Sequence, residues 1–203
     1  MSYDASVDLD GELRSLHAQG SLKLAATRAL EELGPEVFGF LVHTMGNEHD
    51  ATEVFSELGE NLWTAMPAFG FRCSVRTWMY VLARHAVARF RRTPWNARNR
   101  RGGESQLDDV CARVRTRTEP WLRTEVKDGF RAIRDALEPD DRELLVLRVD
   151  RGLAWEDVAR VMLGSEDPDG AELRTECARL RKRYQLLKDD LRRRAREAGL
   201  VGE

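Results

Sequence analysis

Residues 72–92 read RCSVRTWMYVLARHAVARFRR, and the reading of the whole chain turns on this stretch. Val75, Trp78, Met79, Leu82, Ala86 and Phe90 recur at intervals of three and four, the spacing of one buried stripe on an α-helix. Arg76, Tyr80 and Arg84 lie four apart and make a separate stripe, flanked by His85 and Arg91. The stretch also holds Arg72, Arg89 and Arg92, and it contains no Asp or Glu. Solvated faces usually mix both signs of charge. A stripe of arginines around an aromatic therefore suits contact with phosphates and stacking on an unpaired base. The alternative is an ordinary polar face in water.

Outward from this helix, charge is distributed unevenly. The 203 residues hold 33 Lys and Arg against 35 Asp and Glu, a net of −2. Residues 1–62 carry three bases and twelve acids, 3 − 12 = −9, whereas residues 72–101 carry nine arginines and no acid, +9. Residues 172–196 carry ten bases and four acids, 10 − 4 = +6. Two separated basic segments in an otherwise acidic chain point to two contacts with a polyanion.

A third of the residues are charged and 42% are hydrophobic, the balance of a folding, water-exposed chain rather than a disordered one. No apolar run approaches the ~18 residues of a spanning helix. The acidic start MSYDASVDLDGE lacks the basic and apolar regions of a secretory signal, so the expected location is the cytoplasm, with no membrane partner. Cys73, Cys111 and Cys177 are odd in number and form no CxxC pair, which argues for reduced thiols rather than disulfides or a zinc site.

Periodicity is helical nearly throughout, and the fold class expected is all-α. The pattern places helices near 22–33, 35–46, 48–66, 74–92, 121–137, 140–150, 154–163 and 170–197, with Pro35, Pro67, Pro139 and Pro168 at boundaries. Between Thr93 and Pro120 the periodicity fades around Gly102-Gly103. The expectation is a frayed N-terminal extension at 1–21, a first helical domain at 22–92, a flexible linker at 93–120 and a second helical domain at 121–203.

The second domain begins LEPDDRELLVLRVDRGLAWEDVARVMLG (137–164). Two short amphipathic helices flank Asp150-Arg151-Gly152, with Leu144, Leu147, Val158, Ala159 and Met162 available for a shared core. This arrangement opens a helix-turn-helix, whose next helix would enter the major groove. That helix carries Leu173, Cys177, Leu180, Tyr184, Leu187 and Leu191 as a heptad seam. Arg174, Arg181, Lys182 and Arg183 face away from the seam.

In order and content these motifs resemble the sigma-70 family of bacterial RNA polymerase sigma factors, specifically its two-domain extracytoplasmic-function type. The resemblance covers residues 24–197 and is carried by HDATEVFSELGENLW (49–63), RCSVRTWMYVLARHAVARFRR (72–92) and LEPDDRELLVLRVDRGLAWEDVARVMLG (137–164). It implies a region 2-like bundle and a region 4-like helix-turn-helix. Asp50, Glu53, Glu57 and Asn61 would bind the clamp helices of the polymerase beta-prime subunit, with Trp63 in the core. Arg72, Arg76, Trp78, Tyr80, Arg84, His85 and Arg91 would contact the minus-ten promoter element, and the loop Pro67–Ser74 would receive a flipped base. Arg174, Arg179, Arg181, Lys182 and Arg183 would contact the minus-thirty-five element. The implied partners are core RNA polymerase, through the clamp helices and the beta flap, promoter DNA, and an anti-sigma factor.

The chain departs from the family pattern at several points. Gly59 stands mid-helix where the family has a large apolar residue, and Ala154 stands at a helix cap where Ser or Thr is usual. Val81 and Leu82 occupy the place of a duplex-wedging tryptophan pair. The turn GSEDPDGAELRTE (164–176) is longer and more acidic than the family's.

An enzyme is not expected. His49 and Glu53 sit one helical turn apart without a third metal ligand, and no phosphate loop, nucleophile elbow or dinucleotide fingerprint occurs. Neither a cofactor nor a metal is expected. The competing readings are a helix-turn-helix regulator that dimerises through the heptad seam, and a helical adaptor that binds protein through its acidic first half.

Overall fold

The computed structural model describes residues 4–92, 105–117 and 128–200, and every regular element among them is a helix. The all-α expectation therefore holds. Helix α1 spans Asp4–Ala18, α2 Leu22–Met45, α3 Glu48–Ala65 and α4 Val75–Arg92. Then come α5 at Ser105–Arg117, α6 at Asp128–Asp135 and α7 at Pro139–Leu145, which runs into a π-helical turn at Val146–Asp150. Helices α8, Trp155–Leu163, and α9, Gly170–Glu197, complete the order. None of these helices is long and apolar enough to cross a membrane.

Local chemistry sets most of the boundaries. Gly46 takes φ +76° and closes α2 through its N–H to the Val42 carbonyl. Asn47 comes at once as the N-cap of α3, accepting from the Asp50 N–H at 2.8 Å. The acidic first turn of α3, Glu48 and Asp50, suits the positive end of its dipole, and Arg89, Arg91 and Arg92 suit the negative end of α4. As expected, Ala154 provides no side-chain cap for α8.

Pro35 is not at a boundary. It lies within the single helix α2, where its missing N–H and ring normally cost ~3 kcal/mol. Leu33, Gly34, Val37 and Phe38 around it are all buried, so tertiary packing on both sides holds the helix continuous.

Two segments read as irregular in the sequence are built into the core. Residues 105–117, part of the proposed linker, form α5, whose Val110, Cys111 and Val114 are buried against α2 and α3. The approach is close: a Cβ on Gly34 would lie 2.6 Å from Val114 Cγ1 and 3.2 Å from Phe55 Cζ. Residues 93–104 and 118–127, which hold the rest of the linker and the start of the helix expected at 121–137, lie outside the described residues. The N-terminal stretch expected to fray is α1, with Leu9 and Leu13 buried.

Helix α1 also fixes the start of α4 and the loop before it. Asp10 Oδ1 accepts from the Val75 N–H at 2.9 Å, capping α4 from 65 residues away, and the His17 ring bonds the Met66 carbonyl at 3.1 Å. The halves expected to be separate domains share one contiguous cluster of buried residues. Phe38, Phe55, Trp78 and Met79 from the first half belong to it with Leu144, Leu147, Val158, Ala159 and Leu180 from the second. A small satellite of Leu137, Leu145 and Leu187 closes α7 against α9.

Because Leu13 is fully buried, Leu13→Ala is expected to lower unfolding stability by about 2–4 kcal/mol. Urea denaturation checks this, since a frayed terminus would leave the midpoint unchanged.

Candidate nucleic-acid interface

The arginines of residues 72–92 lack carboxylate partners in their own segment and find them elsewhere in the chain. Arg76 makes a bidentate pair with Glu36 of α2, to whose Oε1 the Tyr80 hydroxyl donates at 2.6 Å. Arg84 pairs with Glu143 at 2.5 Å and Asp140 at 3.2 Å, both of α7, and its Nη1 lies 2.8 Å from Met162 Sδ of α8. Arg91 lies 3.9 Å from Glu143, Arg89 lies 3.2 Å from Glu57, and Arg72 lies 3.8 Å from Asp167. Arg92 donates to the Ala88 carbonyl of its own helix.

Helix α4 is thus covered on two sides. Its expected stripe is buried, with Leu82 partly so, and Thr77, Tyr80, Val81, Ala83 and Val87 are buried as well. Two residues assigned to the minus-ten element are therefore core residues. Trp78 stacks on Phe69 with centroids 4.0 Å apart and planes at 10°, and Tyr80 meets Phe40 edge-on at 5.2 Å. The aromatics that suggested base stacking already have ring partners. His85 is exposed, but its Nε2 lies 2.9 Å from the Gly164 carbonyl, at the end of α8.

The electrostatics follow from this burial. Desolvation pushes the Tyr80 phenol well above its ordinary value, and the nearby Glu36 adds to the rise. Burial also raises the Glu143 carboxyl, although Arg84 and Arg91 oppose it. For Arg76, burial disfavours the charge, but the hydrogen bonds and charge of Glu36 outweigh it and raise the guanidinium. Desolvation, helped by Glu166, pushes the Cys73 thiol up to about 12.

The loop between α3 and α4, read as a base-receiving loop, is braced from both directions. Met66–Ala68 form a 3-10 turn, and Phe71 takes φ +53°. Arg14 of α1 lies over the Phe71 ring at 4.9 Å and donates to its carbonyl at 3.3 Å. From the second half, Glu166 accepts from the Gly70 backbone N–H. The long acidic turn thus rests against this loop.

The last helix begins where its apolar spacing places it, after the long acidic turn. Asp169 caps α9, accepting from the Ala171 and Glu172 N–H groups at 2.9 and 3.3 Å, so the helix begins at Gly170. Its seam points inward, with Cys177, Leu180 and Leu187 buried and Leu173, Tyr184 and Leu191 packed against them. That seam is spent on internal packing. Of the five residues assigned to the minus-thirty-five element, Arg179 pairs with Glu176 at 2.6 Å and Arg183 with Asp141 at 2.5 Å. Arg174, Arg181 and Lys182 are exposed and make no salt bridge among the described residues. The guanidiniums of Arg181 and Arg148 lie 5.8 and 5.0 Å from the Trp155 ring, extending this basic surface onto α8.

On α3, Asp50, Glu53 and Asn61 lie partly exposed on one stripe, with Glu53 3.3 Å from His49. Glu57 is buried and faces Arg89, so it is withdrawn from the surface assigned to the polymerase. Trp63 is half-buried with the Lys23 ammonium 5.1 Å from its ring, packed against the core as expected. Among the described residues no three His, Cys, Asp or Glu side chains cluster as metal ligands.

The sequence reading missed Glu36, Asp140, Glu143 and Asp167 as the partners of the basic helix. One signal was present: Glu143 lies four residues before Leu147, on the stripe that must be buried, and a buried carboxylate requires a cation. Nothing comparable marked Glu36. No family model matches the chain, and neither does any curated protein or solved structure.

Removing one partner of a buried pair leaves an uncompensated charge. Arg84→Ala is therefore expected to lower unfolding stability by about 3 kcal/mol, measured by urea denaturation near neutral pH. Arg92→Ala, whose guanidinium donates to a carbonyl of its own helix, is expected to stay within about 0.5 kcal/mol of the parent chain.

Proposed function

We propose that this chain is a non-catalytic specificity factor of the sigma type, which binds core RNA polymerase and directs it to a subset of promoters. The observation that supports this most is the pair α8 and α9. A helix capped by Gly164 at φ +68° turns into a long helix that packs its apolar seam inward and presents Arg174, Arg181 and Lys182 outward. A helix held rigidly from behind, with cations on its open side, is the arrangement that major-groove reading requires. The order of sequence motifs supports the polymerase part, with Asp50, Glu53 and Asn61 as the contact on α3. Helix α4 supplies the minus-ten contact through Arg76, Arg84, His85 and Arg91 once these are released from their internal partners. In this reading the protein works in the cytoplasm, needs no cofactor, and is open to restraint by an anti-sigma factor.

A second reading, a helix-turn-helix regulator acting without being a polymerase subunit, is favoured by one contrast. Arg174, Arg181 and Lys182 of α9 are open, whereas Arg76 and Arg84 of α4 are covered.

Run-off transcription by core RNA polymerase, on a library of upstream DNA from the source genome, separates the two. The expected result is transcripts from defined start sites only when the chain is present. Arg181→Ala with Lys182→Ala is expected to weaken duplex binding and to reduce its log–log salt slope by about two. Specific duplex binding without transcripts supports the regulator instead, and neither activity refutes both readings.

A further inference from the structure

Arg148 carries no role in the readings above, although it borders their DNA-facing surface. It lies in the π-helical turn Val146–Asp150 between α7 and α8, after the buried Val146 and Leu147, and is itself partly exposed. The acids near it in sequence are engaged elsewhere. Asp150 pairs with Arg134 at 2.8 Å, and Glu156 and Asp157 of α8 face Arg160 at 3.9 and 3.6 Å. Among the described residues Arg148 meets no carboxylate, and its contacts are uncharged. Its Nη1 donates to the Leu153 carbonyl at 2.6 Å, and the guanidinium lies 5.0 Å from the centre of the Trp155 ring.

The same ring holds a second cation, Arg181 of α9, at 5.8 Å from its centre. Trp155 is fixed in turn by α9. Tyr184 meets it edge-on at 5.6 Å, and its carbonyl accepts from the Cys177 thiol at 3.5 Å. A cation over an aromatic ring is attracted by the ring quadrupole, but its charge is not neutralised. A guanidinium carries five N–H donors, and the Leu153 carbonyl takes only one of those on Arg148. Arg148 and Arg181 are thus ordered side chains that keep charge and donors for an acceptor outside the chain.

Resting on the duplex binding by α8 and α9 that both readings above share, we propose that Arg148 is a further DNA-binding residue. Its acceptor is a backbone phosphate, and Trp155 positions it together with Arg181. A phosphate suits its place better than a base does. Arg148 precedes α8 and so lies off the helix that enters the groove, whereas phosphates line the groove's edges. A planar guanidinium can meet two oxygens of one phosphate. Because the ring and the Leu153 carbonyl fix the side chain on folding, less conformational entropy is lost on binding. The interface then reaches from α9 across Trp155 to the turn before α8, and Arg148 adds a phosphate contact that α9 does not supply.

The test measures binding of the full chain to a short random-sequence DNA duplex over a range of salt concentrations. Arg148→Gln keeps an N–H for the Leu153 carbonyl but removes the charge, and is expected to reduce the log–log salt slope by about one. Arg148→Lys is expected to restore the slope. In a chain that already carries Arg181→Ala and Lys182→Ala, Arg148→Gln is expected to reduce the slope by about one again, so the turn is read apart from the cations of α9. Trp155→Leu keeps every charge and is expected to weaken binding about fivefold, whereas Trp155→Phe, which keeps a ring, stays near the parent. Urea denaturation of each variant reads stability separately, and Arg148→Ala replaces Arg148→Gln if the latter fails to fold. Lowered stability with the parent's slope gives Arg148 a structural role only and overturns the proposal, leaving duplex binding intact. Equal affinity for Trp155→Leu and the parent overturns the positioning role. Absence of duplex binding by the parent chain overturns both the proposal and the reading beneath it.

Discussion

The structure depends on where the charge of α4 is neutralised. A helix with arginines at 76, 84, 89, 91 and 92 cannot be covered by other protein unless each covered guanidinium meets an oxygen, because an unpaired buried charge costs several kcal/mol. The carboxylates come from α2, α3 and α7, so the charge on one helix sets how three other parts of the chain approach it. Attraction at this range is worth little for exposed pairs such as Arg72 with Asp167. It matters for Arg84 and Glu143, where desolvation makes geometry decisive.

That arrangement gives the two basic segments different surroundings. In α9 Arg179 is paired within the helix by Glu176 and Arg183 by Asp141 of α7, while Arg174, Arg181 and Lys182 remain at the surface. In α4 the order is reversed, with the central charges covered and only the flanks open. The two basic surfaces thus differ in what lies against them: solvent for the centre of α9, carboxylates of the same chain for the centre of α4.

The N-terminal helix and α5 serve this layout by stiffening its foundation. Asp10 caps α4, and Arg14 and His17 hold the loop that precedes it, so the first turn of the basic helix is positioned from the other end of the domain. Helix α5 locks against α2 at Gly34, the point where absence of a side chain allows contact. Both segments carry apolar residues at helical spacing, Leu9, Leu13 and Leu16 in α1 and Val110, Cys111 and Val114 in α5, but in short stripes surrounded by charge. Their worth lies in partners tens of residues away.

Much was legible from the chain alone, for reasons that are local. Apolar spacing located α3, α4, α8 and α9 to within a residue or two, and the inward seam of α9 followed from its heptads. Gly46 and Asn47 mark the α2–α3 boundary through backbone preferences that need no distant partner. The basic stripe of α4 was equally visible, but its meaning was not. Periodicity tells which residues share a face, whereas the groups lying against that face depend on contacts tens of positions apart, such as Tyr80 with Glu36, 44 apart, and His85 with Gly164, 79 apart. The sequence by itself determined an all-helical chain with two cationic helices. Only the tertiary structure decided that Arg76 and Arg84 of α4 are matched by carboxylates of other helices while Arg174, Arg181 and Lys182 of α9 face outward, because pairing is a property of distances and not of order.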